Sequence, residues 1–160
     1  MKVIKIFKFI IALAVCFGAS GLSALFMAND PVTNWYAQLQ KPGFTPPNWV
    51  FGPVWTTLYL MMAISVFIIW NEGLDDPKVK LAIALFLIQL ALNAIWTPLF
   101  FGFHLILPAF IDIILLWFAI LATLLVFKTI SFSAGILLIP YLLWVAYAAI
   151  LNGSIWYLNR

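Results

Sequence analysis

Long apolar runs separated by short polar clusters organise this chain. The apolar runs cover Phe7–Ala28, Pro47–Trp70, Leu81–Phe103, Leu105–Phe127 and Phe132–Leu158. Each reaches or exceeds the about 20 residues that a helix needs to cross the hydrocarbon core of a bilayer. None alternates between an apolar and a polar face, as a helix of a soluble domain would. The pattern predicts an all-α integral membrane bundle of five transmembrane helices in one domain spanning 1–160. A connecting loop at 29–46 joins the first two helices. It is stiffened by Pro31, Pro42 and Pro46, carries Trp35, Tyr36 and Phe44, and runs into Pro47, which opens the second helix. A break near Gly102–His104 makes the third and fourth helices a tight antiparallel hairpin.

Charge sharpens the picture. There are 8 Lys and Arg and 5 Asp and Glu residues; apart from Lys8 at the start of the first run, only Asp112 falls inside an apolar run. With the N-terminus inside, Lys2, Lys5, Lys8, Lys78, Lys80 and Lys128 face inward, whereas Lys41 and Arg160 face outward. The positive-inside rule therefore predicts N-terminus in and C-terminus out. The lysine-led first run reads as a retained helix rather than a cleaved signal peptide, because it is longer than a usual signal core and no A-x-A site follows it. The net charge of +3 sits at helix ends, where it meets lipid headgroups, and does not indicate nucleic-acid binding. One cysteine, Cys16, excludes an internal disulfide, and one histidine, His104, leaves no metal-ligand cluster. Helical bundles favour an inner-type bacterial membrane, since outer membranes hold mainly β-barrels.

Polar and aromatic residues recur at helical spacing. Trp55 and Tyr59 are i, i+4; Gln89, Asn93 and Trp96 are i, i+4, i+7; Trp144, Ala148 and Asn152 are i, i+4, i+8, with Tyr141 beside them. Such spacing stacks side chains along one stripe. At 1.5 Å rise per residue, Trp55 and Asn93 lie roughly 12 and 15 Å below the outer helix ends, Trp96 and Asp112 roughly 10 Å and Asn152 roughly 9 Å. Polar groups of four helices thus share one half of the membrane beneath the aromatic loop. Two readings follow: plain hydrogen-bonded glue between helices, or a mostly apolar ligand pocket with a few polar groups. Ala148 removes bulk between Trp144 and Asn152 and favours the pocket. Asp112 has no cation at its depth, so it needs a proton or hydroxyl, amide or indole donors. The small stripe Cys16, Ser20, Ala24 suits close packing within or between subunits.

Several linked motifs resemble the TspO/MBR family, the tryptophan-rich sensory proteins related to the mitochondrial translocator protein. They are Trp35-Tyr36, Lys41-Pro42-x-x-x-Pro46-Pro47, Gly52-Pro53-x-Trp55, Gln89-Leu90-x-Leu92-Asn93-x-x-Trp96, Phe100-Phe101-Gly102, Pro140-Tyr141-x-x-Trp144 and Ala148-x-x-Leu151-Asn152. The resemblance implies a five-helix bundle, a homodimer, and a pocket for porphyrins such as protoporphyrin IX and for similar flat hydrophobic ligands. The expected ligand-binding residues are Tyr36, Trp55, Tyr59, Asn93, Trp96, Tyr141, Trp144, Ala148 and Asn152. The expected lid residues are Trp35, Lys41, Pro42, Pro46 and Pro47. The implied role is a receptor or carrier acting in tetrapyrrole or stress regulation or transport, with no required cofactor and with porphyrin as the ligand. Two alternatives stand beside it: light-dependent porphyrin degradation through Trp55 and Trp144, and a structural or regulatory membrane partner. A sterol-recognition pattern is readable at Leu151, Tyr157 and Arg160, where an interfacial Tyr and Arg serve equally well. No base, nucleophile or metal set for ordinary catalysis accompanies these residues.

Overall fold

The structure is a computed structural model that describes residues 2–28 and 32–160, with the side chains of residues 2, 22–24, 26–28 and 32–34 outside the description. The described residues are all helical or irregular. They form α1 (Lys2–Ala28), α2 (Val32–Gln38), α3 (Phe51–Asn71), α4 (Pro77–Thr97), α5 (Ile106–Ile130), α6 (Phe132–Leu137) and α7 (Ile139–Leu158). Five segments among them are long and apolar enough to cross a membrane: Val3–Gly21, Asn48–Asn71, Pro77–Gly102, Ile106–Ile130 and Phe132–Leu158.

Local chemistry sets the boundaries. Gly73, at φ +106°, takes the left-handed conformation that turns the chain after α3. Asp76 then caps α4 by accepting the Lys78 N–H at 2.8 Å, with Pro77 in the first turn. Pro98 lacks the N–H that would continue α4, and the chain widens into a π-turn over Pro98–Gly102, closed by the Phe103 N–H on the Pro98 carbonyl at 2.8 Å. His104 follows at φ +56° and reverses the direction into α5.

Three expectations need correcting. The 29–46 connection is not all loop, because Val32–Gln38 forms a helix; Asn29, Asp30 and Pro31 lie outside the described residues. Pro46–Pro47 does not open the second spanning helix directly, since a 3₁₀ turn over Asn48–Val50 intervenes. The last span is interrupted at Leu138, where Pro140 has no N–H to give the Ile136 carbonyl, so it divides into α6 and α7.

α1 packs on α3 and α4, α4 on α5, and α5 on α7. α6 closes the circle against α3, where the Ser65 hydroxyl donates to the Ala134 carbonyl at 2.7 Å. α3 and α7 make little direct backbone contact. The last span therefore touches α3 closely at α6 and diverges from it toward the end that carries the 39–47 loop, here the lid end. Aromatic rings bridge the divergence: Phe51 to Trp144 at 6.0 Å and Trp55 to Tyr141 at 6.2 Å between centroids. Of the small stripe on α1, Cys16 is fully buried within this chain's own core, Ser20 is half-buried and the Ala24 side chain lies outside the description. At the opposite end the Lys8 ammonium donates to the Trp70 carbonyl at 3.0 Å and ties α1 to the end of α3.

The α5–α6 corner is the tightest approach. A Cβ on Gly135 would meet the Lys128 side chain and its backbone N and Cα at 3.0 and 3.1 Å. Gly135→Ala is expected to destabilise the protein by ~1–3 kcal/mol through overpacking, seen as an earlier thermal unfolding midpoint in detergent. Gly18→Ala, whose Cβ would meet nothing within 4 Å, should leave the midpoint unchanged or raise it by up to ~1 kcal/mol. Equal midpoints for Gly135→Ala and the parent chain would contradict this packing.

Candidate functional site

The stripes expected from spacing meet inside the bundle. Asn93 of α4 accepts a hydrogen bond from the Tyr59 hydroxyl of α3 at its Oδ1 and donates from its Nδ2 to the Tyr141 hydroxyl of α7 at 2.9 Å. All three side chains are buried. Nearer the lid end, the Trp96 indole N–H donates to Asn152 Oδ1 at 3.0 Å, and Asn152 Nδ2 donates to the Ile106 carbonyl at 3.1 Å. Four of the spanning segments are thus joined by two amides, each used at both ends. For these five side chains the glue reading holds directly: every polar atom named is spent on another helix.

A second group surrounds the divergence between α3 and α7. Trp55 lies against Tyr59 at 5.5 Å and Tyr141 at 6.2 Å; Trp144 lies against Phe51 at 6.0 Å and Tyr147 at 5.5 Å. Trp55, Trp144 and Ala148 are half-buried and pack on the core. The Trp144 indole N–H is buried with no hydrogen-bond partner among the described residues. The same is true of both polar atoms of Gln89, of Asp112 Oδ2 and of the Trp117 indole N–H. Among the described residues, none supplies that oxygen with the donors anticipated around Asp112. Most buried polar groups find a partner, so these four residues mark places where a further polar group is accommodated at lowest cost.

The lid is pinned at three places. Trp35 stacks on His104 with centroids 4.1 Å apart and packs edge-on to Phe100, while Tyr36 packs on Phe100 and Phe101. Asn159 clasps the backbone of Gln40: its Oδ1 accepts the Gln40 N–H at 3.0 Å and its Nδ2 donates to the Gln40 carbonyl at 2.9 Å. The Tyr147 hydroxyl donates to the Phe44 carbonyl at 2.8 Å. Between these anchors Pro42 accepts at its carbonyl from both the N–H and the hydroxyl of Thr45. Lys41 sits over the Tyr36 ring at 4.5 Å. Burial, with Tyr147 nearby, raises the Tyr36 pKa above the ordinary tyrosine value, so its hydroxyl stays neutral throughout the physiological range. Pro46 is half-buried and Pro47 exposed. Trp49, 75% exposed just before α3, serves instead as an interfacial residue.

Sequence spacing missed Phe51, Tyr147 and Asn159. Phe51 is four residues before Trp55 and Tyr147 three after Trp144, so the helical period extends both stripes to them. Asn159 had no such signal. A groove of about 800 Å³ lies apart from these residues, between α5 and α7, and none of the nine expected ligand-binding side chains lines it. Among the described residues no group of three or more His, Cys, Asp and Glu could hold a metal ion.

The clasp and the network make separable expectations. Asn159→Ala should speed amide hydrogen exchange over residues 39–45 without shifting the thermal midpoint of the bundle. Asn93→Leu leaves two buried tyrosine hydroxyls without their partner and should cost ~1–3 kcal/mol of stability. If Asn159→Ala left exchange in the loop unaltered, the Gln40 contacts would not be what holds the lid.

Comparison with known proteins shows the family of the chain. The TspO/MBR family profile aligns with residues 10–158. The chain is 41% identical over 160 residues to the tryptophan-rich protein TspO of Archaeoglobus fulgidus, covering 99% of each chain. It is 37% identical over 144 residues to the protein CrtK of Rhodobacter capsulatus, covering 90% of this chain and 86% of that one. It is 42% identical over 123 residues to the translocator protein of Homo sapiens, covering 76% of this chain and 73% of that one. With its five membrane-length helices and this match over nearly its whole length, the chain is a multi-pass integral membrane protein of the TspO/MBR family.

Proposed function

We propose that this protein is a membrane receptor or carrier that binds porphyrins of the protoporphyrin IX type, and similar flat hydrophobic ligands, between α3 and α7 beneath the lid. The observation that carries the reading is the aromatic lining of that divergence by Phe51, Trp55, Tyr141 and Trp144, bridged by rings rather than by backbone contact. Flat apolar ligands favour such walls, since aromatic pairs stack or meet edge to face. The unpartnered Trp144 N–H offers a donor for a ring nitrogen or a carboxylate. Tyr59, Asn93, Trp96 and Asn152 form a hydrogen-bonded floor and side wall, while Tyr36 and Phe44 belong to the roof. Entry requires the ring pairs Phe51–Trp144 and Trp55–Tyr141 to part and the lid to yield. The names CrtK, tryptophan-rich sensory protein and translocator protein among the relatives agree with a receptor or regulatory role.

The test is a titration of purified protein with protoporphyrin IX, following tryptophan emission and porphyrin absorbance in the dark and under illumination. Saturable quenching without loss of porphyrin is expected. Ala148→Leu should weaken binding at least ~10-fold by filling space beside Trp144, a loss of about 1.4 kcal/mol, with the fold retained. Light-dependent bleaching that disappears in Trp55→Phe and Trp144→Phe would select the degrading alternative. No saturable response in either condition would defeat both and leave a structural partner role.

A further inference from the structure

The groove between α5 and α7 is distinct from the proposed porphyrin site and has its own construction. Its floor exists because residue 153 is glycine: a Cβ there would meet the Phe110 ring at 2.8 Å. Phe110 stacks nearly parallel to Trp156, 6.3 Å between centroids and 11° between planes, and this pair forms one wall. The groove holds about 800 Å³, within the range of ligand sites, and is lined almost wholly by apolar atoms. Ile150 and Tyr157, at its edge, are 62% and 60% exposed. On spans of membrane length this surface meets acyl chains.

Among the described residues, the charged side chains at the groove's lid end are basic. Lys41 contributes to the lining, and no acidic side chain does. Among the described residues its ammonium has a long contact of 3.4 Å with the Ala37 carbonyl and lies over the face of Tyr36, which leaves donors for an external anion. Arg160 lies over Tyr157 at 4.2 Å and over Trp156 at 6.0 Å, which places a second cation beside the aromatic residues of the groove. A guanidinium stacked by its face keeps its edge free for a phosphate.

We propose that this groove binds an anionic phospholipid, with an acyl chain along the trough floored by Gly153 and the headgroup phosphate between Lys41 and Arg160. An apolar trough that continues along the spans calls for a chain, and two cations with no acid among the lining residues call for an anionic headgroup. Because Lys41 belongs to the lid, the bound phosphate adds an anchor to the lid beyond Asn159 and Tyr147. Lipid composition thereby sets how readily the lid opens.

The experiment uses the full chain in phosphatidylcholine nanodiscs doped with phosphatidylglycerol or phosphatidylcholine carrying brominated acyl chains, which quench nearby indoles. Subtracting the Trp156→Phe protein isolates the emission of Trp156. Brominated phosphatidylglycerol should quench Trp156 at a lower mole fraction than brominated phosphatidylcholine, by about five-fold for each cation. Lys41→Gln with Arg160→Gln, two substitutions outside the packed core, should make the two lipids equal. Ile150→Phe, which narrows the trough, should reduce quenching by both. Equal potency of the two lipids on the parent chain, or a preference that survives the double substitution, overturns the proposal. So does displacement of both brominated lipids by cholesterol or by protoporphyrin IX, which would assign the groove to a neutral sterol or to the porphyrin.

Discussion

Asn93 spends both ends of its amide on other helices, accepting from Tyr59 and donating to Tyr141, and the upper bundle depends on that arrangement. In hydrocarbon no water satisfies an amide, so the three helices that carry these groups cannot slide or rotate without leaving a polar atom bare. Each bond contributes only ~0.6 kcal/mol on average in membrane proteins. Its larger effect is on register: it fixes which faces of α3, α4 and α7 look inward. Trp96 and Asn152 repeat the device nearer the lid and bring in the start of α5 through the Ile106 carbonyl.

That register explains why α3 and α7 can diverge without the bundle loosening. At one end the buried Ala134 carbonyl, accepting from the Ser65 hydroxyl, holds α6 against α3. Further along, Tyr59, Asn93 and Tyr141 hold the spacing at side-chain length. Beyond them the ring pairs Phe51–Trp144 and Trp55–Tyr141 cross the gap, and rings part more readily than hydrogen-bonded amides. The lid is fastened to the far side of this gap, by Tyr147 and Asn159 of the last span and by His104 and Phe100 of the turn after α4. Its release and the separation of the rings are therefore separate events, governed by different residues.

The spans and the inward stripes were legible in the sequence because a membrane imposes both a length and a penalty on misplaced polar groups. Asn93, Asn152, Tyr59 and Tyr141 declared their facing by spacing alone. The short α2 was not legible: Val32–Gln38 is only two turns long and lies among prolines that read as loop. The break at Leu138 was hidden inside an unbroken apolar run, although Pro140 carried its cause. The clasp between Gln40 and Asn159 joins residues 119 positions apart, and a polar residue at a helix end announces no partner. Gln89 was read as part of the polar stripe, yet its position beside Asn93 gave no indication that its amide has no partner among the described residues. Sequence spacing reveals which face a side chain takes but not what it meets there.

The most direct measurement is an experimental structure of the protein with protoporphyrin IX bound, at a resolution that places the macrocycle. The expected result is a ring lying between Trp55 and Trp144 beneath the 39–45 loop, with the bonds of Asn93 to Tyr59 and Tyr141 unchanged. A macrocycle on the lipid-facing surface, with Trp55 and Trp144 still packed on their present neighbours, would contradict it.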